Sequence, residues 1–412
     1  MEIRPIFSAL LRNKMGLVLI GLQVALTLAI VVNALFIIQE RIARIDRSSG
    51  IDEANIFRIA SIGFTPDWNN AAAIDEDLRL LRQLPGVRNA FVTNTTPLSQ
   101  NGWSTTMRTK AEDDVDGLNT AVYFADEHAI DSYGVDLVAG RNFTPEEIGQ
   151  FRSNDELLAG VVIVTEAAAR GFYPDEPELA KIVGKPLYIS PTSTVPPATI
   201  IGIVRELKSP WDGGWSPGVF ERSALVPFKL VSGNNALYVI RTEPGERERV
   251  MKEIESAMSA ANSNRILRSI ASFEDIRRNF YSGDRGLAIV LAVVVGALLL
   301  ITGLGIIGLV SFWVTQRTKQ IGTRRALGAT RPNVLRYFLT ENAIICVFGV
   351  VLGAVMAYGL NVYLVNEFEM ARLPWYWVPV GAAIVFAMGQ LATIGPATRA
   401  TRVSPSVATR SV

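Results

Sequence analysis

Four uncharged apolar runs, very unevenly spaced, constrain this chain of 412 residues more than anything else in it. They cover residues 15–38, 286–314, 342–366 and about 376–396. A helix needs about 20 predominantly apolar residues to cross the hydrocarbon core of a bilayer, and each run meets that length. A hydrophobic fraction of 49% with a net charge of +1 suits a soluble core as well as a membrane protein, so the segments decide the class. The first run follows Arg12 and Lys14, as a signal peptide would. It is longer than a signal-peptide core and no small-x-small cleavage site closes it, which reads as an uncleaved anchor.

Charge sets the expected orientation. Residues 315–341, TQRTKQIGTRRALGATRPNVLRYFLTE, join the second and third runs and carry Arg317, Lys319, Arg324, Arg325, Arg331 and Arg336 against the single anion Glu341. The lead-in over residues 1–14 adds Arg4, Arg12 and Lys14, and the tail after the fourth run adds Arg399, Arg402 and Arg410. The loop between the third and fourth runs holds Glu367, Glu369 and Arg372 instead. Short cation-rich loops stay in the cytoplasm, which places both termini there and leaves a mildly acidic remainder outside. Residues 1–14 repeat Ile3, Ile6, Phe7, Leu10 and Leu11 at helical spacing, the pattern of an amphipathic helix at the membrane interface. The 315–341 stretch itself reads as two helical pieces broken at Gly328. Thr330 stands as N-cap of the second and Pro332 in its first turn. Val334, Leu335, Phe338 and Leu339 then form one apolar face, suited to lying along a membrane or docking on a protein. Topology anchoring alone is the bland alternative for such cations.

Residues 39–285 separate the first and second runs and have ordinary soluble composition, too long for a loop and long enough for one or two folded domains. NIFRIASI, NAFVTN, VVIVT, ATIIGIV, ALYVIRT and RILRSIAS read as strands. AAIDEDLRLLRQ, EAAARGFY and GERERVMKEIESAMSAAN read as helices, the first stopped by Pro85-Gly86. YIS and ATIIGIVREL read as a hairpin pair. Alternation of this kind predicts a mixed α/β domain. The first run predicts a helix continuing past the membrane through residues 39–47 as a stalk. The second run, 29 residues without a charge, would span about 44 Å as helix, more than the roughly 30 Å core, so it tilts or protrudes.

Within the spans, Gln23, Thr27 and Asn33 are expected to bond to neighbouring helices. Gly303, Gly305 and Gly308 spell GLGIIG, a formal dinucleotide fingerprint, but it lacks the preceding strand and sits inside an apolar helix. Close helix packing explains these glycines, as it does Gly349 and Gly353 in a GxxxG. Trp375, Tyr376 and Trp377 stand where an aromatic belt belongs. Cys346, the one cysteine, allows no intrachain disulfide and reads as a small packing residue. His128, the one histidine, lies in ADEHAID without a nucleophile elbow or further histidines, which argues against serine–histidine or metal catalysis and for a surface residue. No G-x-x-x-x-G-K-[ST] occurs in these residues, and GKP at 184–186 lacks the spacing.

The pattern R-x-K-x-I-G-x-R-R-A-L-G-A from Arg317 to Ala329, followed by F-L-x-E-N, resembles the cytoplasmic loop of the FtsX/MacB family of ABC-transporter permeases. LRQLPGV, AGRNFTPEE, VVIVTEAAARGFY, IVGKPLYI and ATIIGIVRELKSP resemble the family's periplasmic domain in order, and P-A-x-R-A with a later S-P resembles its ending. The resemblance implies four transmembrane helices and a large α/β periplasmic domain of MacB type between the first and second. That domain would have porter-like flanks and an inserted lobe at roughly 90–205. It implies that the 315–341 loop rests on an ABC ATPase subunit through Arg317, Gln320, Arg324, Arg325, Leu327, Gly328 and Arg331. ATP and Mg would be bound by that ATPase, none by this chain, in contrast to the fused nucleotide-binding domain of MacB itself. It further implies a bacterial inner-membrane location and a second permease chain, identical or related. The resemblance also allows a periplasmic adaptor and an outer-membrane channel as partners, and implies no nucleic acid. MacB-like efflux is the expected function. Lipoprotein release fits the layout equally, and regulation of a cell-wall hydrolase, as in the FtsX branch, fits it less well.

Overall fold

The computed structural model describes residues 14–111, 117–152, 155–189, 196–212, 214, 216, 218–368 and 371–404. The amphipathic lead-in before Lys14 and the tail beyond Ser404, Arg410 included, lie outside the described residues. In chain order, α1 (Lys14–Ile45) is followed by β1 (Ile56–Gly63), α2 (Asn70–Gln83), β2 (Val87–Thr93), β3 (Trp103–Met107) and β4 (Leu118–Phe124). Next come α3 (Ala129–Tyr133), β5 (Leu137–Gly140), β6 (Gly149–Phe151), β7 (Val161–Thr165), α4 (Glu166–Phe172), α5 (Leu179–Ile182), β8 (Pro186–Leu187) and β9 (Ala198–Val204). They are followed by β10 (Ser223–Val226), β11 (Phe228–Leu230), β12 (Asn235–Thr242), α6 (Arg247–Ala261), β13 (Arg265–Ser272) and α7 (Phe273–Phe280). Then follow α8 (Ser282–Gln316), α9 (Thr318–Ala326), α10 (Arg331–Phe368) and α11 (Trp377–Ala400). Arg47–Ser282 form one compact unit, and the chain on either side of it forms the other.

The α/β unit contains two main sheets. The first runs β13-β1-β12-β2, antiparallel throughout. It interleaves two strand–helix–strand pieces, β1-α2-β2 and β12-α6-β13, in a split β-α-β arrangement. Asn69 caps α2 by accepting from the Ala72 N–H at 3.2 Å. Gly86, at φ +86°, turns the chain after it. Ile74, Leu78 and Leu81 of α2 and Val250, Ile254 and Met258 of α6 recur at helical spacing and bury against Phe57, Ile59, Tyr238 and Ile240 of the sheet.

The second sheet runs β3-β4-β10-β7-β9-β5, with β8 on the edge of β9. Its inner pairs β4–β10 and β7–β9 are parallel. Strands buried on both faces must be continuously apolar, as VVIVT and TIIGIV are. Trp103 opens this sheet and Val226 closes its last strand, so the lobe set into the first sheet reaches past the expected limit of 205 and starts after 90. Sequence misplaced the end because β10 is only four residues long. Residues 90–93 belong to β2 of the first sheet.

The other unit has four helices long and apolar enough to cross a membrane: α1, α8, α10 and α11. With the α/β unit between the first and second, the fold class is that of a four-span membrane protein carrying a large α/β domain. The helix α1 sits at the centre of the bundle, with Ile20, Val24, Leu28 and Val32 fully buried. Glycines let the others approach it. A Cβ on Gly353 would lie 2.7 Å from the Ala25 carbonyl oxygen, and one on Gly349 2.7 Å from Val24. Gly305 faces the Gln23 side chain and Gly303 the Met388 sulfur. Gly308 meets nothing within 4 Å, so the expected packing role does not apply to it within this chain. Thr27 and Thr302 share a hydroxyl–hydroxyl bond of 2.7 Å, and the Asn33 amide donates to the Ala357 carbonyl at 3.0 Å. Gln23 donates more weakly to the Ile301 carbonyl, at 3.4 Å. Cys346 is buried against Gly389.

Candidate coupling element

The cationic stretch departs from its expected shape. The span helix α8 runs through Gln316, breaks at Arg317, and continues as the nine-residue α9. Gly328, at φ +98°, ends α9: its N–H bonds to the Arg325 carbonyl at 3.1 Å, and the Ala329 N–H to the Arg324 carbonyl at 3.0 Å. This paired closure requires a left-handed residue after the helix, where glycine carries no Cβ penalty. Thr330 then offers its carbonyl to the Asn333 and Val334 N–H groups. The second piece is not a separate surface helix, as the apolar face had suggested. It is the first turns of the 38-residue α10, because nothing between Val334 and the apolar run breaks the helix.

Glu341 lies inside this continuous helix. It is 1% exposed, and the Arg317 guanidinium donates from Nη1 to both its carboxylate oxygens, at 2.8 and 2.9 Å. Sequence reading had treated Glu341 as a lone anion marking the end of the loop. The nearest cation, Arg336, is five residues away, and nothing beside Glu341 signals a partner 24 residues upstream. Arg317 also lies over the Trp313 ring, 5.9 Å from its centroid.

The remaining expected residues divide by face. Ile321 is buried in one cluster with Val334, Phe338, Ala397 and Ala400, and so fixes α9 to the bundle. Arg325 donates from Nη1 to the carbonyls of Thr401 and Val403, at 2.9 and 2.6 Å, just past the end of α11. Gln320 and Arg324 rim a groove of about 170 Å³ between α9 and the start of α10, floored by Ile321, Val334 and Phe338. Arg324 is held over the Tyr337 ring at 4.7 Å. Leu327 is 84% exposed, and Lys319, Gln320, Arg324 and Arg331 are exposed too.

At the other end of α1 and α8, Arg41 bonds to Asp284 at 2.5 Å, joining the two helices. Within the α/β unit, Arg277 of α7 forks onto Glu53 and onto the Arg47 carbonyl at 2.8 Å, holding together the segments by which the chain enters and leaves that unit. Neither tie carries a sequence signature. His128 is half-buried with its Nε2 3.4 Å from Glu127. Among the described residues no group of three or more His, Cys, Asp or Glu is placed to hold a metal.

Four spans, an α/β unit between the first two and a cationic helix between the second and third define an integral membrane protein of permease type. Residues 16–257 match the MacB-like periplasmic core domain, and residues 292–405 match the FtsX-like permease C-terminal family. The chain belongs to the FtsX/MacB family of ABC-transporter permeases. It is 25% identical over 279 residues to the macrolide export ATP-binding/permease protein MacB of Chromobacterium violaceum, covering 66% of this chain and 40% of that protein. Against MacB of Neisseria meningitidis the identity is 22% over 374 residues, covering 88% and 53%. Against the ABC transporter permease YvrN of Bacillus subtilis it is 24% over 301 residues, covering 70% and 69%. The chain thus spans about half the length of the MacB relatives it matches.

Proposed function

We propose that this chain is the permease subunit of an export system in which a separate ABC ATPase subunit drives movement of the α/β unit. The chain lies in the bacterial inner membrane with both termini cytoplasmic and the α/β unit periplasmic. Two permease chains form the working unit, because the cationic element occurs once per chain. The observation that carries this reading is the single 35-residue helix α8. A single residue separates it from α7 of the α/β unit at one end and from α9 at the other, and it forms a rigid rod of about 52 Å. The Arg41–Asp284 pair ties it to α1 at one end. An ATPase pressing on α9 would therefore displace α8, and with it the point where the α/β unit is attached. The apolar spans hold no chain of charges suited to conducting a polar solute, which favours substrate handling outside the membrane. The macrolide-export names of the relatives support efflux as the direction.

The test is purification of the tagged chain from its native membrane in mild detergent, with every partner identified and counted. An ATPase bearing a Walker motif, two copies per two permease chains, supports the reading, and a periplasmic adaptor with it supports efflux over lipoprotein release. A chain that emerges alone or with a cell-wall hydrolase overturns it. Reversing Arg324 and Arg325 together is expected to uncouple hydrolysis from export in the reconstituted complex.

A further inference from the structure

We infer that Arg317 and Arg325 are not contacts to the ATPase but positioning residues, two internal clasps that pass the displacement of α9 to α10 and α11. The inference rests on the coupling reading above and reassigns two of the residues expected to touch the partner.

Arg317 stands at the break between α8 and α9, and its guanidinium is committed to Glu341 of α10 through both carboxylate oxygens. Its side chain is 19% exposed and that of Glu341 2%, so the pair is largely enclosed even though Arg317 borders the groove with Gln320 and Arg324. A planar guanidinium opposite a carboxylate fixes angle as well as distance, which a lysine does not. Arg325, seven residues along α9, is committed to the Thr401 and Val403 carbonyls that follow α11. The C-terminal end of a helix carries partial negative charge and unpaired carbonyls, and Arg325 reaches it from another element. Ile321 is buried between the two arginines against Val334, Phe338, Ala397 and Ala400. The helix α9 is thus covalently continuous with α8 through one residue, clasped to α10 at its start and to the end of α11 near its finish. Lys319, Gln320, Arg324, Leu327 and Arg331 are exposed and left for a partner.

The clasp is tested first without any ATPase. In the full chain with Cys346→Ala, spin labels at Lys319 and Arg402 report the separation of α9 from the segment after α11. A narrow distance distribution is expected, broadened by Arg325→Gln and restored toward the parent by Arg325→Lys. An unchanged distribution in Arg325→Gln overturns the clasp, whatever becomes of the transporter reading. The second arm uses the ATPase that co-purifies with the chain. Arg325→Gln and Arg317→Gln should retain it at parental stoichiometry and hydrolyse ATP at the parental basal rate, while export falls at least tenfold. Lys319→Glu with Arg331→Glu should lose the ATPase. Loss of the ATPase from a folded Arg325→Gln chain, or export unchanged in both arginine variants, overturns the inference. The swap Arg317→Glu with Glu341→Arg guards against misfolding. Recovery of export above either single change supports a paired role, and no recovery with a parental elution profile counts against it. Failure of the parent chain to bring down any ATPase sinks the transporter reading and leaves the spin-label result standing.

Discussion

The α/β unit and the membrane unit deal with buried polar groups in opposite ways. In the α/β unit a charged network is fully enclosed: Asp77 pairs with Arg265 and accepts from the Tyr238 hydroxyl at 2.6 Å, with both charged side chains at most 1% exposed. Burial first, and then the negative Asp77 beside it, holds the Tyr238 phenol well above its ordinary pKa. Inside the membrane bundle the enclosed polar contacts are neutral: Thr27 with Thr302, Asn33 with the Ala357 carbonyl, Asn342 with the Gly389 carbonyl. The ion pair of Glu341 lies toward the end of its helix, ten residues in from Arg331. A helix packed on a sheet holds the two opposite charges together, Asp77 on α2 and Arg265 at the start of β13, whereas helices in lipid gain mainly from close backbone approach. The difference teaches where each unit is brittle.

The largest effect should come from opening the enclosed network. Replacing Asp77 by Ala leaves the Arg265 charge buried and unpaired, a loss of about 3–5 kcal/mol. It is measured by thermal unfolding of the full chain in detergent, followed through the α/β unit. Replacing all three groups together, Asp77→Leu with Tyr238→Phe and Arg265→Met, should recover most of it, since an apolar cluster of similar volume leaves no buried charge unpaired. A D77A chain as stable as its parent would remove one side of the comparison.

The membrane unit should instead be most sensitive to volume at its glycines. Gly353→Leu drives a side chain into the Ala25 backbone and should cost about 1–3 kcal/mol. Gly308→Leu meets open space on its side and should change the same unfolding measurement by less than about 0.5 kcal/mol. Equal effects at the two positions would mean that Gly308 is covered by something other than this chain.

These two expectations also show what was legible beforehand. The spans, the strands and the helices of the α/β unit follow from local periodicity, and apolar stretches such as VVIVT or LRLLRQ state their period within a few residues. The split order of the first sheet does not, because β1 is paired with β12 and β13, some 180 to 210 residues away. The same limit governs the coupling element. Leu327, Gly328 and Arg331 can be read from composition and turn chemistry. That Arg317 is spent on Glu341, and Arg325 on two carbonyls 76 and 78 residues further on, cannot, since neither partner leaves a mark beside the arginine. The family resemblance put all seven residues from Arg317 to Arg331 on one surface.

A smaller effect tests the neutral contacts of the bundle. Thr302→Val removes the hydroxyl bond to Thr27 and should cost about 0.6 kcal/mol, the average for such bonds between membrane helices. Thr27→Val in the same background should add almost nothing further, and a double-mutant cycle in detergent reads this directly. Additive losses would show that the two hydroxyls act separately.

The smallest expected effect lies in the α/β unit and depends on pH. Glu147 is gripped by Arg141 at 2.6 and 2.9 Å and accepts from the Thr144 N–H at 2.9 Å. The Arg141 hydrogen bonds, partly opposed by burial, hold its carboxyl below the ordinary value. A depressed folded-state pKa means that the unfolded chain takes up the proton first as pH falls. The stabilisation is therefore complete above the unfolded pKa and lost as pH drops through the lower folded value. Below ordinary carboxylate range the turn at residues 141–147 should loosen, seen as faster amide exchange at Thr144 and Glu147 with the sheets unaffected. Glu147→Gln should show that faster exchange already at neutral pH and lose the acid dependence. Acid dependence persisting in Glu147→Gln would assign it to another carboxylate. The surface pair would then be as inert as most exposed ion pairs are, leaving the enclosed Asp77 network as the place where charge matters to this unit.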